Sequence, residues 1–231
     1  YSTAKLVKSL KVPVVIVELK GAFLSLPRWA RSMRRGPVHV EYKLGFRPEE
    51  LKAMSVAEIY AGLVEQLSHD DFAYQRRHMI RFGGKRRAEY IEAVLFTCPR
   101  CERRHALRSS RNLLRCTECG YTVRYNAYGF FEPVAGTMRF DNVRSWNIWQ
   151  IEQFTAYLDT GGETPLMREE DVILQRGFKS MPLQQIDRGS LELHHGEVRF
   201  SGRRKGTTLA FPIRLIEGIN IQNGEPLEFY F

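Results

Sequence analysis

Cysteine is scarce in this chain of 231 residues: there are four, at positions 98, 101, 116 and 119, and none elsewhere. If those four act as one set, no thiol is left for disulfide pairing or nucleophilic catalysis. Long apolar runs are missing as well. No stretch approaches the roughly eighteen uninterrupted apolar residues of a transmembrane helix, and the opening Tyr1-Ser2-Thr3-Ala4-Lys5 lacks the order of a signal peptide. Glycine-rich phosphate loops are absent too, because Gly83-Gly84 follows no predicted strand and lacks the Lys-Ser/Thr ending of a P-loop. The histidines, at 39, 69, 78, 105, 194 and 195, form no nucleophile constellation, and none is assigned to catalysis.

What is present is a pair of knuckles, Cys98-Pro99-Arg100-Cys101 and Cys116-Thr117-Glu118-Cys119-Gly120, separated by fourteen residues. Each Cys-x2-Cys turn aims two thiolates at one ion, and the intervening segment suffices for a short hairpin, so the spacing predicts a zinc ribbon with Cys98, Cys101, Cys116 and Cys119 as ligands. Four thiolates leave no open coordination position, so the Zn2+ is expected to be structural. The bland alternative is four reduced thiols buried as small hydrophobes. Either use fits a reducing compartment.

Charge is distributed unevenly. Residues 1–97 carry 17 Lys/Arg against 10 Asp/Glu, residues 98–125 carry 7 against 2, and residues 126–231 carry 11 against 14. A basic first half attracts phosphates, on nucleic acid or on anionic lipid, and sign alone does not choose between them.

Along the chain, Leu6 and Leu10 mark a basic helix over 4–11, and Val12 to Leu19 reads as a buried central strand of an α/β layer. In Val38 to Leu44 the apolar residues alternate, predicting a buried apolar face and an outer face bearing His39, Glu41 and Lys43. Ser55 and Glu58 form a capping box for a helix burying Val56, Ile59, Leu63, Val64 and Leu67. Residues 71–97, rich in arginine, read as a basic linker with a short helical approach to the knuckles. Beyond the ribbon, Trp146, Trp149, Phe154 and Tyr157 line a predicted helix capped at Asp141 or Asn142, with core as the first reading and an interfacial membrane helix as the second. From Ser190 the pattern turns to β: a hairpin at His194-His195-Gly196, strands over 207–213 and 216–221, and a final turn at Asn223-Gly224. The expected organisation is 1–70 as part of an α/β domain, 71–97 as linker, 98–125 as ribbon, and 126–231 as a helix plus a mainly antiparallel β domain, pleckstrin-homology-like in outline. The opening residues and the close on Leu227 to Phe231 predict a piece of a longer protein.

Lys5 to Val17 with its Val12-Pro13-Val14-Val15 strand, then Gly21-Ala22-Phe23 and Pro27-Arg28-Trp29, resemble the end of the catalytic core in glycerophospholipid acyltransferases of the 1-acylglycerol-3-phosphate type. Arg87-Ala88-Glu89 and the first knuckle resemble a bacterial subgroup in which a zinc-ribbon tail follows that core. The resemblance implies the C-terminal part of an α/β enzyme moving a fatty acyl group from acyl-CoA or an acyl-carrier protein to a lysophospholipid, in the cytoplasm at the inner face of the membrane. The family's His-x4-Asp, whose histidine is the general base, has no counterpart here, since no histidine is followed five positions on by aspartate. Arg28, Arg31, Arg34 and Arg35, interleaved with Trp29 and Met33, form a loop suited to anionic phospholipid headgroups or a phosphate. The competing readings are a nucleic-acid-binding protein, using the basic ribbon with Tyr121, Tyr125 and Tyr128, and a noncatalytic scaffold.

Overall fold

Lys8 organises the first elements. It lies on helix α1 (Ser2–Leu10), and its Nζ donates to the carbonyls of Leu51 and Lys52 at 2.8 and 3.0 Å, at the end of helix α3 (Pro48–Ala53). A cation there satisfies terminal carbonyls that the helix itself leaves unpaired. Between these helices run β1 (Val14–Lys20), the short α2 (Ala22–Ser25) and β2 (His39–Phe46). Helix α4 (Val56–Leu67) follows with the predicted capping box formed in both directions. This is a computed structural model of the chain, and it describes residues 1–159, 165–178, 181–204, 206–220 and 227–230.

β1 is not a central strand. It pairs antiparallel with β2 alone, Val15 opposite Leu44, Val17 opposite Tyr42 and Leu19 opposite Val40, and these six side chains are exposed, from 44% at Val17 to 70% at Tyr42. The predicted alternation is real, but its inner and outer faces are exchanged. Apart from Ile16, the middle of the inner face is charged: Lys43 bonds Glu18 at 2.9 Å, Lys20 bonds Glu41, and Lys20 lies over the Tyr74 ring. Paired charges tolerate partial cover because each ion brings its own partner. The small core below holds Ala4, Ile16, Phe46, Leu51, Ile59 and Leu63. Val64 and Leu67, expected to pack, are exposed, as are Leu6 and Leu10 of α1.

Residues 71–97 are not a linker. Helix α5 (Asp71–His78) is capped by Asp70, and Phe72, Phe82, Ala88, Ile91 and Leu95 are buried in a larger core with Leu24, Trp29 and the ribbon. Asp71 ties α5 to the turn before α2, accepting from the backbone N–H of Gly21 at 2.6 Å and of Phe23 at 3.1 Å, and pairing with His69. Gly36 is needed nearby, because a Cβ there would lie 2.3 Å from the Phe82 ring. Removing a buried carboxylate that satisfies two amides costs about 2–3 kcal/mol. Asp71→Ala is expected to lose that much in urea denaturation; a loss under 0.5 kcal/mol on the same scale would contradict this role.

The ribbon sheet follows, β3 (Leu107–Ser110), β4 (Leu113–Cys116), β5 (Thr122–Tyr125) and β6 (Phe131–Ala135), in sequential antiparallel order. Helix α6 (Val143–Asp159) begins at the predicted cap, Asn142, whose Oδ1 accepts from the Ser145 N–H at 2.9 Å. Its Trp146 and Trp149 are buried, which makes the core reading of that stripe correct and leaves Phe154 and Tyr157 half-buried. The chain divides within α6 into two units, Tyr1–Gln150 and Ile151–Phe231, so the ribbon belongs to one unit with residues 1–97.

The second unit is antiparallel β. Strands β7 (Met167–Arg176), β8 (Gln184–Leu193), β9 (Glu197–Gly202) and β10 (Thr208–Pro212) form a meander in the order β10-β9-β8-β7. The expected hairpin at 194–196 is there, with Leu193 opposite Val198 and Leu191 opposite Phe200. β7 is unexpected, because the charges in Met167 to Asp171 hide its alternation. A separate antiparallel pair is formed by β11 (Gly218–Asn220) and β12 (Glu228–Tyr230), and the turn expected at Asn223-Gly224 lies outside the described residues. The chain as a whole is thus mixed α/β with antiparallel sheets, and no parallel layer occurs among the described residues.

Candidate metal centre and the arginine loop

The two knuckles fold alike because each Cys-x2-Cys turn closes on its own backbone. In the first, the Cys98 N–H donates to Arg103 O at 3.0 Å and the Glu102 N–H to Cys98 O at 3.0 Å. In the second, the Cys116 N–H donates to Tyr121 O at 2.8 Å and the Gly120 N–H to Cys116 O at 3.1 Å. The residue after each second cysteine is left-handed, Glu102 at φ 57° and Gly120 at φ 73°. Glycine takes that conformation without strain, which explains Gly120, whereas Glu102 adopts it at a cost.

The predicted hairpin, β3 with β4, places Cys116 opposite Leu107 and brings the knuckles together. The four sulfurs lie within 4.8 Å of one another, with Cys98 Sγ to Cys119 Sγ and Cys101 Sγ to Cys116 Sγ both 3.7 Å. Four sulfurs bound at about 2.3 Å to one tetrahedral ion stand about 3.8 Å apart. The cysteines therefore sit close enough to hold a metal ion, and their spacing is compatible with structural zinc. Cys98 and Cys116 are buried while Cys101 is exposed, so the cluster rests on the core with one edge toward solvent. Burial pushes the Cys98 and Cys101 thiols up; it acts on Cys119 too, but the Tyr121 N–H and the neighbouring thiols outweigh it and that thiol goes down. A cation among the sulfurs offsets the cost of ionising such a group.

The floor of the centre is clamped by α6. Gln150, fully buried, accepts from the N–H groups of Phe96 and Thr97 at 2.9 and 3.2 Å and donates to Val94 O at 2.7 Å. Trp146 Nε1 donates to Thr97 O at 2.9 Å, one residue before the first ligand. Neither clamp was foreseen, since a helix stripe read from periodicity does not reveal which backbone it meets.

Comparison of the chain with protein-family models, curated proteins and solved structures returns no match.

The arginine loop is divided by the fold. Arg28, Arg31 and Arg35 are exposed, and Arg31 stacks over Tyr90 with its guanidinium carbon 3.7 Å from the ring centroid. Arg34 is not a surface residue. It is 6% exposed, its guanidinium lies 5.5 Å from the Trp29 ring and 5.2 Å from the Tyr125 ring, and its Nη2 donates to Arg87 O at 2.7 Å. Among the described residues no carboxylate lies within ion-pair distance of Arg34 or Arg87. Desolvated cation–π contacts contribute up to about 2 kcal/mol, whereas burying an ion without a counter-charge costs on the order of several kcal/mol. The rings offset only part of that cost.

Arg87 and Tyr125, absent from the sequence-based site, complete this cluster. The Arg87 run resembles any solvated basic stretch in sequence, and Tyr125 sits in β5, dozens of residues further along the chain. Of the aromatics proposed for base stacking, Tyr121 and Tyr125 are buried at 1% and 0% exposure, and Tyr128 is half-buried.

Proposed function

We propose that the chain is the C-terminal portion of a membrane-peripheral acyltransferase that transfers a fatty acyl group from acyl-CoA or an acyl-carrier protein to a lysophospholipid such as 1-acylglycerol-3-phosphate. The observation that carries this reading is the outward apolar face of β1 and β2: Val15, Val17, Leu19, Val40, Tyr42 and Leu44. Two apolar strands left bare on one side are what the closing strands of a larger α/β core present to the rest of that core. The resemblance to acyltransferases lies in β1 and the residues on either side of it. The portion in hand carries no His-x4-Asp and is inactive alone. Zinc on Cys98, Cys101, Cys116 and Cys119 is structural in this reading, because four thiolates leave no position for substrate.

Arg28, Arg31 and Arg35 supply the contact with anionic headgroups at the inner face of the membrane, each worth about 1 kcal/mol near such a surface. The reading requires an His-x4-Asp encoded upstream of Tyr1, whose histidine is essential for acyl transfer; a complete reading frame without one sinks it. Vesicle sedimentation tests the surface. Arg31→Glu combined with Arg35→Glu is expected to reduce binding to anionic vesicles about tenfold or more, and unchanged binding would remove the loop from the membrane contact.

A further inference from the structure

Two arginines of the first unit, the buried Arg34 and the half-buried Arg87, have no carboxylate within ion-pair distance among the described residues, and Glu132 acts on Arg87 only from beyond that distance. Arg34 is buried between Trp29 and Tyr125, and its hydrogen bond goes to a carbonyl. Arg87 donates from Nη1 to Gly84 O at 2.7 Å, while its Nε, shielded from solvent, has no partner. The Tyr125 hydroxyl is equally buried, and apart from the Arg34 guanidinium beside it no group answers it. Arg87 is held below its ordinary range by burial and by the positive charges of Arg34 and Arg81, and the Tyr125 phenol is raised by burial while Arg34 pulls it down. A fold gains nothing by collecting like charges and orphan donors unless something of opposite sign joins them.

We propose that Arg34, Arg87 and Tyr125 form a binding site for a phosphomonoester anion, approached at the exposed Gly84. Two guanidinium groups and a hydroxyl offer at least three donors and two positive charges, which suits a dianion with three terminal oxygens better than a carboxylate with two. Gly84 lies against the stems of both arginines: a Cβ there would stand in contact with Arg34 Cγ at 3.5 Å and Arg87 Cγ at 4.0 Å. The anion belongs either to a free phosphate compound or to a lipid headgroup, since both present the same group. The site does not depend on the acyl-transfer reading, because inorganic phosphate alone probes it.

The test is calorimetric titration of the full chain with inorganic phosphate and with sn-glycerol 3-phosphate, at constant ionic strength so that general screening is the same throughout. Saturable binding at one site is expected. Arg87→Gln and Arg87→Lys should each weaken it by roughly tenfold or more, because lysine keeps the charge and loses the fork. Tyr125→Phe, which removes only the hydroxyl and leaves the packing, should weaken it several-fold and keeps the test valid if the arginine variants fold poorly. Arg176→Gln, in the other unit, should bind like the parent. Vesicles of phosphatidylcholine with and without phosphatidic acid separate the two sources. Competition between free phosphate and phosphatidic acid vesicles assigns the headgroup; phosphate binding without vesicle competition assigns a soluble phosphomonoester. Absence of saturable phosphate binding, or equal affinity in the Arg87 and Tyr125 variants, overturns the proposal.

Discussion

Cys116→Ser is expected to abolish metal binding and to unfold the first unit rather than the ribbon alone. Structural zinc in zinc-finger peptides binds with an apparent free energy of roughly 10–16 kcal/mol near neutral pH, which is as large as the whole stability of a typical domain, about 5–15 kcal/mol. The reach of the effect follows from the core. Cys98 and Cys116 lie in one buried cluster with Leu24, Trp29, Phe72, Ile91 and Leu95, so the ribbon cannot loosen without exposing the residues that hold α2 and α5. Elemental analysis of the parent chain should find one zinc per molecule, and the variant none, with helical as well as β circular dichroism lost on chelation. A native parent that is free of metal, or a Cys116→Ser chain melting at the parent's temperature, would contradict the assignment.

Trp146→Ala is the second large effect, expected at roughly 3–5 kcal/mol as for other buried aromatic truncations. Trp146 is fully buried and meets Tyr121, Phe131 and Phe140 at centroid distances of 6.0, 5.4 and 6.2 Å, besides its bond to Thr97 O. Trp146→Phe separates packing from hydrogen bonding. It keeps much of the apolar contact and leaves the Thr97 carbonyl without its donor, which costs about 1–3 kcal/mol. Because Thr97 precedes the first ligand, both variants should also weaken zinc retention against a competing chelator. Urea denaturation of the metal-bound chain measures the first effect; equal stability of Trp146→Ala and the parent would show that α6 does not hold the knuckles.

The parts of the fold legible in the sequence are those set by local chemistry. Ser55 and Glu58 announced a helix start because the capping box is completed within four residues. The His194-His195-Gly196 turn announced a hairpin, and Asn142 a helix cap, for the same reason. Periodicity was right for β2 and wrong about its sides. Alternation shows that Val40, Tyr42 and Leu44 share a face, but the side that is covered depends on what packs there, and α5 brings Tyr74 to the charged side. Arg34 was misplaced on the surface for a related reason, since an arginine enters a core only when distant residues, here Trp29, Arg87 and Tyr125, build a slot for it.

The cysteine pairs mark where the boundary runs. Their number, spacing and completeness are properties of the chain order, and from these alone a four-sulfur metal site follows, because the ligand geometry of each knuckle is local. Only the tertiary structure decided that the site shares a core with α2, α5 and residues 82–95, that the apolar side of β1 and β2 faces outward, and that Arg34 lies inside with no carboxylate within ion-pair distance among the described residues. Those outcomes depend on contacts between segments dozens of residues apart, whose free energies no local pattern records.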